Sequence, residues 1–253
     1  MRQRSVVTAF AFGLTVFCSN SVLAAESCTG WAKLNFTDQA KYFLYNNIWG
    51  VGSITNWTQC IYGNGPTTAS FGWRWNWPDG GNPDSVKAYP EVRTNASNYS
   101  ALPTQISANK NIDVKWVFSV KGQNGTGAPT GRANVAWDIW VGGTGSGAHT
   151  YEIMVWPYYW GYTSHFGTKI ATVSIAGHPW NVYYTNAPGW NYYAFKRTSN
   201  ATSLEFNMRS FFDWLRSQNR INASHWIQTI EAGSEVKFGQ GRVDTSSYYA
   251  TVR

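Results

Sequence analysis

At 253 residues the chain has room for one sizeable β-type core and too little for two ordinary enzyme domains. Only 13% of residues are charged while 17% are aromatic, with 15 Trp and 15 Tyr, so some rings should form flat apolar platforms with a polar edge instead of core. The formal charge is +7, but Lys and Arg are scattered without a basic run or basic helix face, which gives nucleic-acid binding little support.

In chain order, Arg2 and Arg4 precede an apolar stretch from Val6 to Cys18, and Val22-Leu23-Ala24-Ala25 supplies small residues for cleavage. That pattern predicts a signal peptide over residues 1–24, hence export, no membrane association after cleavage, and one catalytic domain over 25–253. Loss of Cys18 leaves Cys28 and Cys60, which read as a disulfide in an exported chain. Closing a loop of about 33 residues stabilises by ~3–4 kcal/mol on the chain-entropy model.

Beyond the cysteines, short alternating runs are separated by Gly, Asn, Pro and Ser clusters. Val114–Val120 and Thr172–Ile175 are examples, and Gly122–Gly127 and Gly142–Gly147 read as turns. The expected fold is all-β, a sandwich or barrel. Val135-Ala136-Trp137-Asp138-Ile139-Trp140 places one acid, Asp138, on an apolar strand. Tyr151-Glu152-Ile153-Met154-Val155-Trp156 does the same with Glu152. Alternation puts Glu152, Met154 and Trp156 on one face and Tyr151, Ile153 and Val155 on the other. A carboxylate on so apolar a strand is costly to bury without partners or a function, and Trp and Met beside it suit a ligand cleft.

Leu204, Met208, Phe211, Phe212 and Leu215 follow a helical stripe, with a capping-box pattern at Thr202 and Glu205, which predicts a helix over about 203–217. Near the C-terminus, Glu231 and Glu235 share a strand face, so either can complete an acid/nucleophile pair with Glu152. His149, His165, His178 and His225 lack ligand spacing, so no metal and no cofactor is expected. No Gly-x-Ser-x-Gly and no phosphate-cradling Gly loop occurs.

These residues resemble glycoside hydrolase family 12, the compact endoglucanases and xyloglucan-active enzymes. Residues 151–156 look like its nucleophile strand. Asn46-Asn47-Ile48-Trp49-Gly50, flanked by Cys28 and Cys60, is similar to its N-terminal motif, Val86-Lys87-Ala88-Tyr89-Pro90 to its Val-Lys-Ser-Tyr-Pro strand, Ala136-Trp137-Asp138 to its Asp-bearing strand, and Ala232-Gly233-Ser234-Glu235 to its acid/base strand. The resemblance implies a β-jelly roll of two curved antiparallel sheets whose concave face is the substrate cleft. It implies retaining hydrolysis with Glu152 as nucleophile, Glu235 as general acid/base and Asp138 assisting the nucleophile. Trp31, Asn47, Trp49, Met154 and Trp156 would contact substrate. Val236-Lys237 stands where the family usually carries an aromatic after the acid, so contacts on the leaving-group side should differ.

The reading is therefore a secreted, monomeric endo-β-1,4-glucanase acting on soluble or amorphous cellulose and related β-glucans. A xyloglucan-specific member of the same family is the alternative. A family 11 xylanase is disfavoured by Met154, and a non-catalytic carbohydrate-binding sandwich by the joint presence of Glu152, Asp138 and Glu235.

Overall fold

Alternation is clearest over residues 71–77, and there the backbone is a strand that buries Phe71, Trp73, Trp75 and Trp77 while Arg74 and Asn76 point outward. The computed structural model describes residues 25–36, 41–63, 70–94, 99, 101–187 and 189–253; the expected signal peptide, 1–24, lies outside the described residues.

In chain order the strands are β1 (Ala25–Ser27), β2 (Lys33–Asn35), β3 (Tyr42–Asn47), β4 (Thr58–Gly63), β5 (Phe71–Trp77), β6 (Tyr89–Thr94), β7 (Thr104–Gln105) and β8 (Ile112–Lys121). They continue with β9 (Arg132–Gly142), β10 (His149–Trp160), β11 (Thr168–Ile175), β12 (His178–Ala187), β13 (Trp190–Arg197), β14 (Ser203–Asn207), β15 (Trp226–Gly233) and β16 (Val236–Val252), with one α-helix, α1 (Arg209–Ser217). One sheet runs β1-β4-β5-β16-β8-β14. The other runs β2-β3-β6-β15-β9-β10-β13-β12-β11. The start of β16 also pairs with β9, so this 17-residue strand belongs to both layers. This is the expected jelly roll, antiparallel except between β10 and β13, which run parallel.

The parallel pair has a topological cause. After β10 the chain crosses to the sheet edge, forms β11, and returns through two antiparallel turns, so β13 arrives beside β10 in the same direction. Residues 161–167 make that crossing over three strand spacings, about 14 Å, and bring Tyr162, His165 and Phe166 to the end of the cleft face.

The core lies between the sheets. The Trp116 ring sits 5.4 Å from Trp137 and about 6 Å from Trp73 and Tyr248, and its N–H donates to Thr245 Oγ1 at 3.0 Å. Trp73 likewise donates to Ser234 Oγ, whereas among the described residues the buried Trp137 N–H has no partner. Ile153 and Val155 join this core, whereas Met154 and Trp156 pack in a separate cluster on the other face, as alternation requires. Cys28 and Cys60 are disulfide-bonded, tying the chain after β1 to β4.

The expected helix starts later than its pattern suggested. Ser203–Asn207 is strand β14, paired with β8, and only Arg209–Ser217 is helical. Leu204 and Met208 are four apart, a spacing that keeps one face in a strand and also in a helix, so the stripe could not locate the boundary. Glu205 is no cap: it accepts from Tyr249 and pairs with Lys115. Asn207 Oδ1 instead accepts from the N–H of Arg209 at 3.1 Å. The helix buries Phe211 against Trp180 and Phe195, on the face of β12 and β13 turned away from the cleft. Among the described residues, no helix is long and apolar enough to cross a membrane.

Candidate active site

Concave-face side chains of the larger sheet line a cleft of about 720 Å³ that contains Glu152, Asp138, Glu231 and Glu235 together. A hollow of about 670 Å³ on the opposite sheet also holds acids, but Glu205 and Asp113 there are already paired with Lys115 and Arg253. The paired acids leave that hollow without a free carboxylate couple.

Glu152 stands on β10 opposite Trp140 of β9 and alongside Tyr192 of β13. Its Oε2 accepts a 2.7 Å hydrogen bond from the Trp190 indole N–H. Burial pushes its carboxyl up to about 8, with the charge of Glu235 adding to the shift and the Trp190 bond opposing it.

Glu235 follows β15, and its aim is set by the two residues before it. A Cβ on Gly233 would fall 2.6 Å from the Pro90 carbonyl oxygen, so only glycine lets the strand approach β6 this closely. Ser234 is fully buried, and its Oγ accepts from Trp73 Nε1 at 2.9 Å, which turns residue 234 into the core and 235 into the cleft. Asn134 then holds Glu235 from both sides: its Nδ2 donates to the carboxylate, and its Oδ1 accepts the Glu235 N–H at 2.8 Å. Burial raises the Glu235 carboxyl to about 7, against the Asn134 bond and the nearby charge of Lys237. Two acids so raised, one of them by the other's charge, cannot both ionise readily near neutrality.

Asp138 lies directly across from Met154 on β10 and from Glu231 on β15. It is buried, its Oδ1 has no hydrogen-bond partner, and burial followed by the charges of Glu152 and Glu231 drives its carboxyl well above the usual range. Its neighbours therefore favour the neutral form over the charged one.

Periodicity left Glu231 and Glu235 equivalent, and the structure separates them. Glu231 Oε1 lies 3.1 Å from Arg93 Nε and accepts from Thr229 at 3.1 Å. Arg93 also donates to the fully buried Glu91 at 2.8 Å, and Asn47 donates to the same Glu91 oxygen at 3.3 Å. A carboxylate held by a guanidinium is poorly suited to give up and retake a proton. Among the described residues Glu235 has no such partner.

Of the residues expected to meet substrate, Asn47, Trp49 and Trp156 line the cleft. Trp49 is 60% exposed at the lip and presents a free ring face. Trp156 is almost fully buried, packed against Tyr162 and His165, and its N–H points at the Met154 sulfur, so it lines the floor without offering a face. Met154 is buried beneath that floor, 3.5 Å from the Tyr192 hydroxyl. Trp31, exposed at a positive φ of 66°, lies outside the cleft lining and leans on Tyr45.

Sequence reasoning missed Trp190, Trp140, Asn134 and the Glu91–Arg93 pair. Trp190 and Trp140 meet edge to face at 5.6 Å beside Glu152. Alternation along β9 puts Asn134 and Trp140 on the face of Asp138, a signal that was available, whereas Trp190 and the Glu91–Arg93 pair reach the site from strands that are distant in sequence.

The chain matches the family model described as "Glycosyl hydrolase family 12" over residues 40–253. It is 33% identical to Endoglucanase S of Pectobacterium parmentieri, over 96% of this chain and 93% of that one. It is 27% identical to a protein of Phytophthora nicotianae named an inactive glycoside hydrolase, XLP1, over 96% of this chain and 98% of that one. Among solved structures, the native family 12 xyloglucanase of Bacillus licheniformis superposes with a TM-score of 0.79 at 34% identity, covering 90% of this chain and all of that one. The acid-lined concave sheet and these similarities agree, and the chain belongs to glycosyl hydrolase family 12.

Proposed function

We propose that this protein is an exported, monomeric endo-β-1,4-glucanase that cleaves internal bonds of soluble or amorphous β-glucan with retention of configuration. The observation that carries this reading is the pair Glu152 and Glu235 in one aromatic cleft, each raised by burial and mutually repelling when ionised. Such a pair tends to share one proton, which suits a nucleophile and an acid acting in the same step.

In the first displacement the Glu152 carboxylate attacks the anomeric carbon. The bond to the leaving oxygen breaks, and Glu235 delivers its proton to that oxygen. In the second, water gives a proton to Glu235 and attacks the same carbon, releasing Glu152. Burial raises Glu152, to about 8, further than Glu235, to about 7, yet the shared proton belongs to the pair and not to either acid, and the reactive form is the one with Glu152 ionised and Glu235 protonated. Trp190 favours that form, because its N–H can only donate to the Glu152 carboxylate. Asp138, across from Met154 on the neighbouring strand and with its carboxyl raised by burial and by the charge of Glu152, assists the nucleophile from beside it. Trp49 offers a stacking face for a sugar ring at the lip.

A xyloglucan-specific activity is the second reading, favoured by the likeness to the Bacillus licheniformis xyloglucanase. Reducing-sugar release from carboxymethylcellulose, barley β-glucan, xyloglucan and xylan, measured side by side, separates the two. Glu152→Gln should abolish release from every substrate while the protein stays folded. Near-normal turnover by that variant would remove the nucleophile assignment. Release of the β-anomer first, by proton NMR, is the expected sign of retention.

A further inference from the structure

Two positive charges meet the ring of Tyr162 at one end of the cleft, and the hydrolytic scheme gives neither of them a contact with substrate. Lys237 lies two residues beyond Glu235 and lines the cleft. Lys196 is outside that lining; it stands on β13 alongside Trp156, on the same sheet face as Tyr192, four residues from the level of Glu152 or about 13 Å along the strand. Both ammonium groups approach the Tyr162 ring, at 5.4 Å for Lys237 and 5.5 Å for Lys196. Lys196 also sits 3.8 Å above Tyr159.

Both lysines are half-buried, and among the described residues neither ammonium forms an ion pair. Aromatic faces compensate a desolvated cation only in part. Burial accordingly pulls both lysines below their ordinary range. The neighbouring acids are engaged elsewhere: Asp84 pairs with Arg132, and Glu235 is held by Asn134. Among the described residues the Tyr162 hydroxyl has no hydrogen-bond partner and is shielded from solvent, although the Tyr162 side chain lines the cleft. Two unpaired cations around one unspent O–H donor form a receptor for an anion.

We infer that the cleft end lined by Lys237 and Tyr162, with Lys196 beside the Tyr162 ring, binds a carboxylate carried by the glucan chain, as on a uronic-acid unit or a carboxylated substituent. This rests on the glucanase reading above, since it places the charged sugar on the Glu235 side of the scissile bond. It also gives a use to Lys237 at the position where the family usually carries an aromatic. A neutral sugar would leave both ammonium groups uncompensated there, whereas a carboxylate beside Tyr162 would pair with Lys237 and lie in the field of Lys196.

The test compares kcat/KM on carboxymethylcellulose and on neutral hydroxyethylcellulose of matched substitution, at low and high salt. Wild-type protein should favour the anionic polymer at low salt, with the preference shrinking as salt rises. The Lys196→Met/Lys237→Met double variant should lose about fivefold to tenfold of that ratio, and Lys196→Arg/Lys237→Arg should retain most of it. Lys169→Met removes one charge from an exposed position on the edge strand β11 and should leave the ratio unchanged. An unchanged ratio in the double variant, or an equal loss in Lys169→Met, overturns the carboxylate site. If the lysine variants fail to fold, a salt-independent ratio in the wild type overturns it. Cleavage of neither polymer by the wild type would refute the glucanase reading instead.

Discussion

Replacing Glu152 by Gln should make the protein more stable in alkali while destroying its activity. Burial lifts the Glu152 carboxyl from the ordinary 4.5 to about 8. Between those values the folded protein holds a proton that the unfolded chain has released. Stability from this group is therefore complete below pH 4.5 and is lost as pH rises through about 8. At about 1.4 kcal/mol per pH unit the ceiling is about 5 kcal/mol. The cleft is open to solvent, so screening should reduce it to about 1–2 kcal/mol. Glutamine keeps the shape and can still accept from Trp190, but it never ionises. Thermal melts from pH 4 to pH 9 should show matched curves at pH 4 and a variant melting about 3–6 °C higher at pH 9. A gap no larger at pH 9 than at pH 4 would mean that the carboxylate is not desolvated in the folded protein, and the shared-proton argument would fall with it.

Three further outcomes are expected. Trp190→Phe removes the N–H that holds Glu152 in its ionised form, so the acidic limb of the kcat/KM profile should move up by about one pH unit. Arg93→Met strands two buried acids and should cost about 3–5 kcal/mol in urea unfolding at pH 7. Most of that loss should return in the triple variant Glu91→Gln/Arg93→Met/Glu231→Gln, which removes the whole charge set. Cys28→Ser/Cys60→Ser opens a closed loop and should lower the melting temperature by about 10 °C, with little change in the pH profile of activity.

The legible parts of this protein are those written within single strands. Glu152 stood out because a carboxylate among Tyr, Ile, Met, Val and Trp violates the apolar pattern, and alternation assigned its face correctly. The strand of Asp138 was readable for the same reason, and ordered motifs supplied the family and the jelly roll. The start of the helix was not legible, since Leu204 and Met208 satisfy both periods. The choice of Glu235 over Glu231 was not legible from spacing either. It depends on Arg93, which reaches Glu231 from β6, and on Asn134, which reaches Glu235 from β9. Trp190 was hidden more deeply, because the parallel pairing of β10 and β13 depends on an excursion through two intervening strands.

Strand β16 lies between β5 and β8 in one sheet and touches β9 of the other with its first residues. Without it β5 and β8 have no common neighbour, so the smaller layer would part into β1-β4-β5 and β8-β14. The ladder of the larger layer would stay connected, since β15 and β9 pair directly. One strand therefore ties the catalytic edge of the cleft to the seam of the opposite sheet, and strain applied to that seam is delivered first to the residues that follow Glu235.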